Sequence, residues 1–211
     1  MIPTRIVCLG LVVVGLLGSA AAPLEKLPIG SPAPKAHVSM TATDSTMHTL
    51  ASAAKANGLL VVFSSPACPW VKAWQDRYKT MAQVAKRHDV GMLMLNANAD
   101  RRRTSDSRAA MSAQAARHAY AFPYVVDEGA RMADAFGATT TPGVFLFDDR
   151  LRLVYRGAID DDARNANAVR QPYVLSALRA LGTGDAIDPM VTDAVGCEIK
   201  QPAASASREE R

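Results

Sequence analysis

The chain has 211 residues, 49% of them hydrophobic and 21% charged. This balance excludes a disordered protein and predicts a core large enough to be stable without a disulfide scaffold. The net charge of +4 comes from Lys and Arg residues scattered along the sequence, whereas a nucleic-acid-binding surface concentrates them on one face. We therefore expect no nucleic-acid partner.

The N-terminus has the pattern of a secretory signal peptide. Arg5 precedes an apolar run at residues 6–17, and small residues follow at 18–22. A membrane-spanning helix takes about 20 apolar residues, so this run is too short to cross a bilayer. We expect cleavage after Ala21 and export to the periplasm or the medium, with no stable membrane anchor after cleavage. An uncleaved anchor is the alternative.

The rest of the chain is predicted to form one domain at residues 22–200, followed by a disordered tail at 201–211. Turn residues, apolar runs and helical spacing define its elements. In chain order they are a hairpin at 37–50, a short helix at 51–56, a strand at 59–63, a long helix at 69–88, a strand at 92–95, a helix at 105–120, a strand at 122–126, a short helix at 127–136, a hairpin at 143–155 and a helix at 173–181.

This order predicts the fold class. Strands that alternate with helices form a mainly parallel sheet covered on both faces, and the second hairpin adds antiparallel strands. The expected architecture is therefore an α/β protein, a three-layer α/β/α sandwich with a mixed sheet and an N-terminal hairpin.

Cys68 is the main candidate for chemistry. It follows the predicted strand at 59–63 and directly precedes Pro69 and the long helix. A thiol at the start of a helix faces unpaired N–H groups, which favour the reactive thiolate. The alternative interpretation is a small buried apolar cysteine without a chemical role.

Five segments carry a family resemblance. They are 29–34 (Ile-Gly-Ser-Pro-Ala-Pro), 63–69 (Phe-Ser-Ser-Pro-Ala-Cys-Pro), 140–145 (Thr-Thr-Pro-Gly-Val-Phe), 155–157 (Tyr-Arg-Gly) and 196–200 (Gly-Cys-Glu-Ile-Lys). In these five segments the chain resembles the thioredoxin-like superfamily. Within that superfamily it resembles the redoxin branch, which is of the alkyl hydroperoxide reductase and thiol-specific antioxidant type. The late Gly-Cys-x-Ile-Lys motif is similar to that of an exported bacterial subgroup.

The resemblance implies a thioredoxin-like fold and roles for several residues. Cys68 would be the nucleophile, and a cis peptide bond between Thr141 and Pro142 would shape a substrate groove beside it. The implied partners are a disulfide or peroxide substrate and an external thiol reductant.

The chain departs from each known version of such a site. A dithiol enzyme needs C-x-x-C, because the second thiolate releases the product, but Val71 stands at that position. The peroxiredoxin pattern has a proline where this chain has Val61. The copper chaperones of this fold have a second cysteine where this chain has Lys72.

Cys197 is the remaining candidate for a second thiol. It is expected to resolve a sulfenic acid or mixed disulfide at Cys68, to fix the C-terminal segment in a structural bridge, or to stay unpaired. Sequence does not give the distance on which pairing depends. The histidines lack metal-ligand spacing, so we expect no metal and no other cofactor.

Two hypotheses follow. The first is an exported thiol oxidoreductase that acts on disulfides or peroxides through Cys68. The second is a non-catalytic redoxin-fold module that has lost its second cysteine and binds a ligand, a metal or a partner protein.

Overall fold

The computed structural model describes residues 25–200. The predicted signal peptide and the predicted tail at 201–211 lie outside this range. The strands are β1 (Met40–Thr41), β2 (Met47–His48), β3 (Leu59–Phe63), β4 (Gly91–Asn96), β5 (Tyr124–Val126), β6 (Thr140–Thr141), β7 (Gly143–Phe147), β8 (Leu153–Gly157) and β9 (Cys197–Glu198). The helices are α1 (Leu50–Ala53), α2 (Pro69–Ala73), α3 (Gln75–Arg87), α4 (Arg108–Arg117), α5 (Arg131–Phe136) and α6 (Tyr173–Thr183).

A five-stranded sheet forms the centre of the domain, in the order β5-β4-β3-β7-β8. Strand β4 runs parallel to its neighbours β3 and β5, whereas β7 is antiparallel to both β3 and β8. Strands β1 and β2 form the N-terminal hairpin. The mixed sheet expected from the sequence is confirmed.

Each face of the sheet supports its own apolar core. Leu60 and Val62 of β3 pack with residues of α3 and α6 on one face. Leu59, Val61 and Phe63 pack on the other face with residues of α1 and α5. Successive side chains of a strand point to opposite faces, so β3 contributes to both cores and reads as an uninterrupted apolar run. The predicted three-layer α/β/α sandwich is therefore confirmed.

The prediction of one continuous helix at 69–88 is wrong at one residue, Trp74. The chain breaks at Trp74, whose φ and ψ of −91° and 7° separate α2 from α3. The indole Nε1 of Trp74 donates a hydrogen bond of 2.6 Å to the buried carboxylate of Asp160. This bond ties the junction of the two helices to the loop after β8.

The second hairpin is also shifted from its predicted position, because its turn is longer. The Asp148 carboxylate accepts hydrogen bonds from the backbone N–H groups of Arg150 and Arg152, and Leu151 has a positive φ of 54°. The returning strand therefore starts at Leu153, two residues later than expected. Within residues 25–200, no helix is long and apolar enough to cross a membrane.

Candidate functional site

Cys68 lies in the connection from β3 to α2. The turn before it is held by Ser65, whose hydroxyl accepts from the backbone N–H of Ala67 and whose carbonyl accepts from that of Cys68. Cys68 is the N-terminal capping residue of α2, and Pro69 occupies the first turn. No side chain caps that turn, so its N–H groups remain available to a thiolate. Cys68 itself is buried, with 3% of its surface exposed.

The segment between α5 and β7 lies directly against this cysteine. The Thr141–Pro142 peptide bond is cis, and both residues are buried. The carbonyl oxygen of Thr141 lies 3.1 Å from Cys68 Sγ. In the reduced protein this oxygen can accept a hydrogen bond from the thiol.

Cys197 reaches the same place from the C-terminal end of the domain. It forms a disulfide with Cys68, and the two Cα atoms are 6.0 Å apart although the residues are separated by 129 positions. The four residues selected from the sequence, Cys68, Thr141, Pro142 and Cys197, are thus brought together at the carboxyl end of β3.

A strand pair aligns Cys197 with Thr141. Strand β9 runs antiparallel to β6, with Cys197 opposite Thr141 and Glu198 opposite Thr140. The backbone N–H of Ile199 donates to the carbonyl of Thr139 over 2.9 Å, which extends the pairing by one residue. This small sheet was not predicted, because each strand has two residues and they lie far apart in sequence.

Gly196 explains the Gly-Cys part of the late motif. A Cβ atom at this position would overlap the carbonyl oxygen of Thr141 and crowd the side chain of Thr140. The backbone of Gly196 therefore packs directly on β6, which brings the next residue, Cys197, within reach of Cys68.

We call residues 190–200 the strap, since they cross the site and are fixed on both sides of Cys197. On the N-terminal side, the Thr192 hydroxyl accepts from the backbone N–H of Ala158 over 2.9 Å and lies 2.7 Å from the Tyr155 hydroxyl. On the C-terminal side, Ile199 is 5% exposed in the core. The backbone N–H of Lys200 donates to the side-chain oxygen of Asn98 over 2.7 Å.

A buried polar network supports the hydrogen bond between Lys200 and Asn98. Asp106 is fully buried, and one of its carboxylate oxygens accepts hydrogen bonds from the side-chain amides of Asn96 and Asn98. The Arg102 guanidinium donates to the side chain and the backbone of Asn96. This network was not predicted, and its signal in the sequence is a pair of Asn residues, Asn96 and Asn98, at the end of an apolar strand.

The strap carries three charged residues, Asp193, Glu198 and Lys200. Lys200 Nζ forms an ion pair with Glu198, and the hydrogen bond from Lys200 holds the pKa of the Glu198 carboxyl below its usual value. Beside α3, where the Tyr120 hydroxyl is hydrogen-bonded to Gln75, burial raises the pKa of Tyr120 to about 12. Both groups therefore keep a single protonation state near neutral pH.

Val71 and Trp70 follow Cys68 in α2, and both pack against other residues of the protein. Val71, at the position of the second cysteine of a C-x-x-C motif, is fully buried in the core. Trp70 is half-buried, and its ring centroid lies 6.0 Å from the ring centroid of Trp74. The guanidinium carbon of Arg164 also lies 6.0 Å from the Trp70 ring centroid. Among residues 25–200, no group of three His, Cys, Asp or Glu side chains is placed to hold a metal ion.

Comparison with protein families gives a match to the Redoxin family over residues 28–171. The chain belongs to the redoxin family. The matched region of this redoxin contains Cys68 and Pro142 and ends before the strap. A search of curated proteins found no match.

Several solved structures have a similar fold. An uncharacterized conserved protein from Geobacillus kaustophilus is 30% identical, covers 89% of this chain and 100% of its own, and has a TM-score of 0.78. A hypothetical protein from Sinorhizobium meliloti 1021 is 27% identical, covers 85% and 97%, and has a TM-score of 0.77. The bacterioferritin comigratory protein of Xanthomonas campestris is 19% identical, covers 74% and 98%, and shares the fold with a TM-score of 0.56.

Proposed function

We propose that this redoxin is an exported thiol oxidoreductase in which Cys68 and Cys197 form the redox pair. The observation that carries the proposal is the disulfide between Cys68, at the start of α2, and Cys197 of β9, beside the Thr141–Pro142 segment. A complete dithiol cycle needs a second thiol. Cys197 supplies it in place of the missing C-x-x-C cysteine.

With a disulfide R–S–S–R′ as substrate, the Cys68 thiolate attacks one sulfur. The Cys68–S–S–R bond forms, the substrate bond breaks, and R′–S⁻ leaves and takes up a proton. The Cys197 thiolate then attacks Cys68 Sγ, which closes the protein disulfide and releases R–S⁻. The protein loses two electrons, and the substrate gains them as two thiols.

With a hydroperoxide as substrate, the Cys68 thiolate attacks the terminal oxygen and becomes a sulfenic acid while an alcohol leaves. Attack by the Cys197 thiolate on the Cys68 sulfur then closes the disulfide and releases water. In both cases an external dithiol, or two external thiols, restores the reduced pair and is itself oxidised to a disulfide.

Single-cysteine variants of the full chain test this proposal. Reduced wild type is mixed with oxidised glutathione or with hydrogen peroxide, and turnover is measured with excess thiol reductant. We expect Cys68→Ser to lower turnover at least about 100-fold, since it removes the nucleophile. Cys197→Ser should accumulate a mixed disulfide or a sulfenic acid at Cys68 instead of the intramolecular disulfide.

Cys8→Ser is the matched control, because Cys8 lies in the predicted signal peptide, and it should retain full turnover. Equal turnover in wild type and Cys68→Ser would refute the enzyme and favour the binding-module hypothesis. A sulfenic acid trapped after peroxide treatment assigns the protein to the peroxidases. A mixed disulfide trapped with glutathione assigns it to the disulfide-exchange enzymes.

Export is the second part of the proposal, and it rests on the sequence of residues 1–21. N-terminal sequencing of protein recovered from the periplasm or the medium should begin at Ala22. Full-length chain that stays with the membrane fraction would instead favour an uncleaved anchor.

A further inference from the structure

Cys68 lies under the strap, the segment that carries its partner Cys197, and this limits what can approach the redox pair. The outward edge of β6 is already used, because β9 pairs with Thr140 and Thr141 and the N–H of Ile199 bonds to Thr139. Gly196 packs on the Thr141 carbonyl without room for a side chain. An extended polypeptide partner therefore cannot pair with this edge of β6.

The strap is fixed N-terminal to Cys197 by contacts that do not involve the disulfide. The Thr192 hydroxyl contacts Ala158 N and the Tyr155 hydroxyl, and the N–H of Thr192 donates to the Arg156 carbonyl over 3.1 Å. Gly157 permits this approach, since a Cβ there would overlap Thr192.

The strap is equally fixed C-terminal to Cys197. Ile199 is buried in the core beneath the sheet. Lys200 donates its N–H to Asn98 and accepts a hydrogen bond from the N–H of Asp100 over 3.3 Å. Asn98 is itself held by the buried carboxylate of Asp106. Buried hydrogen-bonded groups of this kind are costly to separate, because the partners left behind are unsatisfied.

We propose that the strap stays in place when the disulfide is reduced, and that it restricts the redox pair to small thiols, disulfides and hydroperoxides while excluding polypeptide partners. The proposal rests on the proposed function and names its substrate class. Both sets of contacts persist without the S–S bond, and Cys68 is only 3% exposed beneath the strap. A small molecule needs access to one sulfur alone, whereas a protein disulfide must also place its flanking backbone.

Hydrogen exchange tests the first half of the proposal without any turnover. Amide exchange of Thr192 and of residues 197–200 is compared between the oxidised and the reduced full chain. We expect the loss of protection in the strap on reduction to agree within about threefold with the loss at core amides of β3, because reduction also lowers the global free energy of unfolding. A loss in the strap more than about 100-fold larger than that in β3 would show a released strap and overturn the proposal.

Substrate size tests the second half. Rates are compared for hydroxyethyl disulfide and for the disulfides of insulin, in wild type and in the double variant Thr192→Val/Asn98→Ala, which loosens both ends of the strap. We expect the variant to raise insulin reduction by at least about tenfold while hydroxyethyl disulfide changes by less than about threefold. Val195→Ala is the matched control, because Val195 is an exposed strap residue.

The outcomes separate the two proposals. Wild type that reduces insulin as efficiently as hydroxyethyl disulfide overturns the size restriction and leaves the redox pair intact. Absence of turnover with both disulfides and with hydrogen peroxide overturns the proposed function, and hydrogen exchange then still decides whether the strap stays docked. Circular dichroism and thermal unfolding of the double variant establish that it is folded before its rates are compared.

Discussion

Thr141 and Cys197 face each other across a two-stranded antiparallel pair, and Thr141 also contacts the sulfur to which Cys197 is bound. The Thr141 carbonyl oxygen lies 3.1 Å from Cys68 Sγ. The Thr141 hydroxyl donates a hydrogen bond to the Cys197 carbonyl over 3.5 Å. One residue of β6 thus touches both members of the redox pair. The position of Cys197 depends on β6 as much as on the disulfide.

Replacing Gly196 with alanine tests this dependence. The added Cβ would overlap the Thr141 carbonyl, so either β9 or β6 must move. We expect the free energy of unfolding of the oxidised protein to fall by about 2 kcal/mol, which is typical of a steric change at a packed site. Urea denaturation measures the loss. Val195→Ala, one residue earlier and exposed, should change stability by less than about 0.5 kcal/mol.

The disulfide itself should contribute strongly to stability. It joins residues separated by 129 positions, and closing a loop of this length is expected to stabilise the folded state by on the order of 4 kcal/mol. Cys197→Ser should lower the free energy of unfolding by that amount. The double variant Cys68→Ser/Cys197→Ser should lose no more than either single variant. An additive loss would contradict a bridge as the source of the effect.

Asp106 should be essential to the polar network that holds Lys200. Asp106→Ala leaves the amides of Asn96 and Asn98 buried without their acceptor, and we expect a loss of about 3 kcal/mol. The amide of Lys200 should also exchange faster with solvent, since its partner Asn98 is released. Asp100→Ala, at an exposed position on the same loop, is the control and should be nearly neutral.

Trp74→Phe tests the junction between α2 and α3. The variant keeps an aromatic ring but removes the N–H that bonds to Asp160, a carboxylate with 5% exposure. We expect a loss of about 2 kcal/mol, because a buried charged acceptor loses a donor and keeps only Arg77 and a backbone N–H. Thermal unfolding measures it. Trp70→Phe retains the ring contact with the junction and should cost clearly less; equal losses would contradict a specific role for the Asp160 bond.

The sequence predicted the sheet well because its central strands are buried on both faces. The bounds of β3 match the apolar run at 59–63, and β7 matches 143–147. The break at Trp74 was not predicted, because the helical spacing continues through it and its cause is a side chain at position 160. Local pattern does not report a hydrogen bond across 86 positions.

The candidate site was likewise predicted from the sequence only in part. The residues before α2, the Thr-Pro pair and the late Gly-Cys-x-Ile-Lys motif were found from short motifs, whereas the pairing of β9 with β6 was not. Strand β9 has two residues and no alternation, so no periodic signal marks it. Its position is set by Gly196, by the network around Asp106 and by Ile199, and these contacts appear only when the chain is folded.

The separation of the two cysteines also fixes the order in which the site can be completed. The ribosome adds Cys68 129 positions before Cys197, a delay on the order of ten seconds at ordinary rates of synthesis. The central sheet and, apart from Ile199, both apolar cores are encoded before the residues of β9. The disulfide therefore cannot form before residue 197 has been added, and a chain truncated between residues 68 and 197 carries Cys68 without its partner.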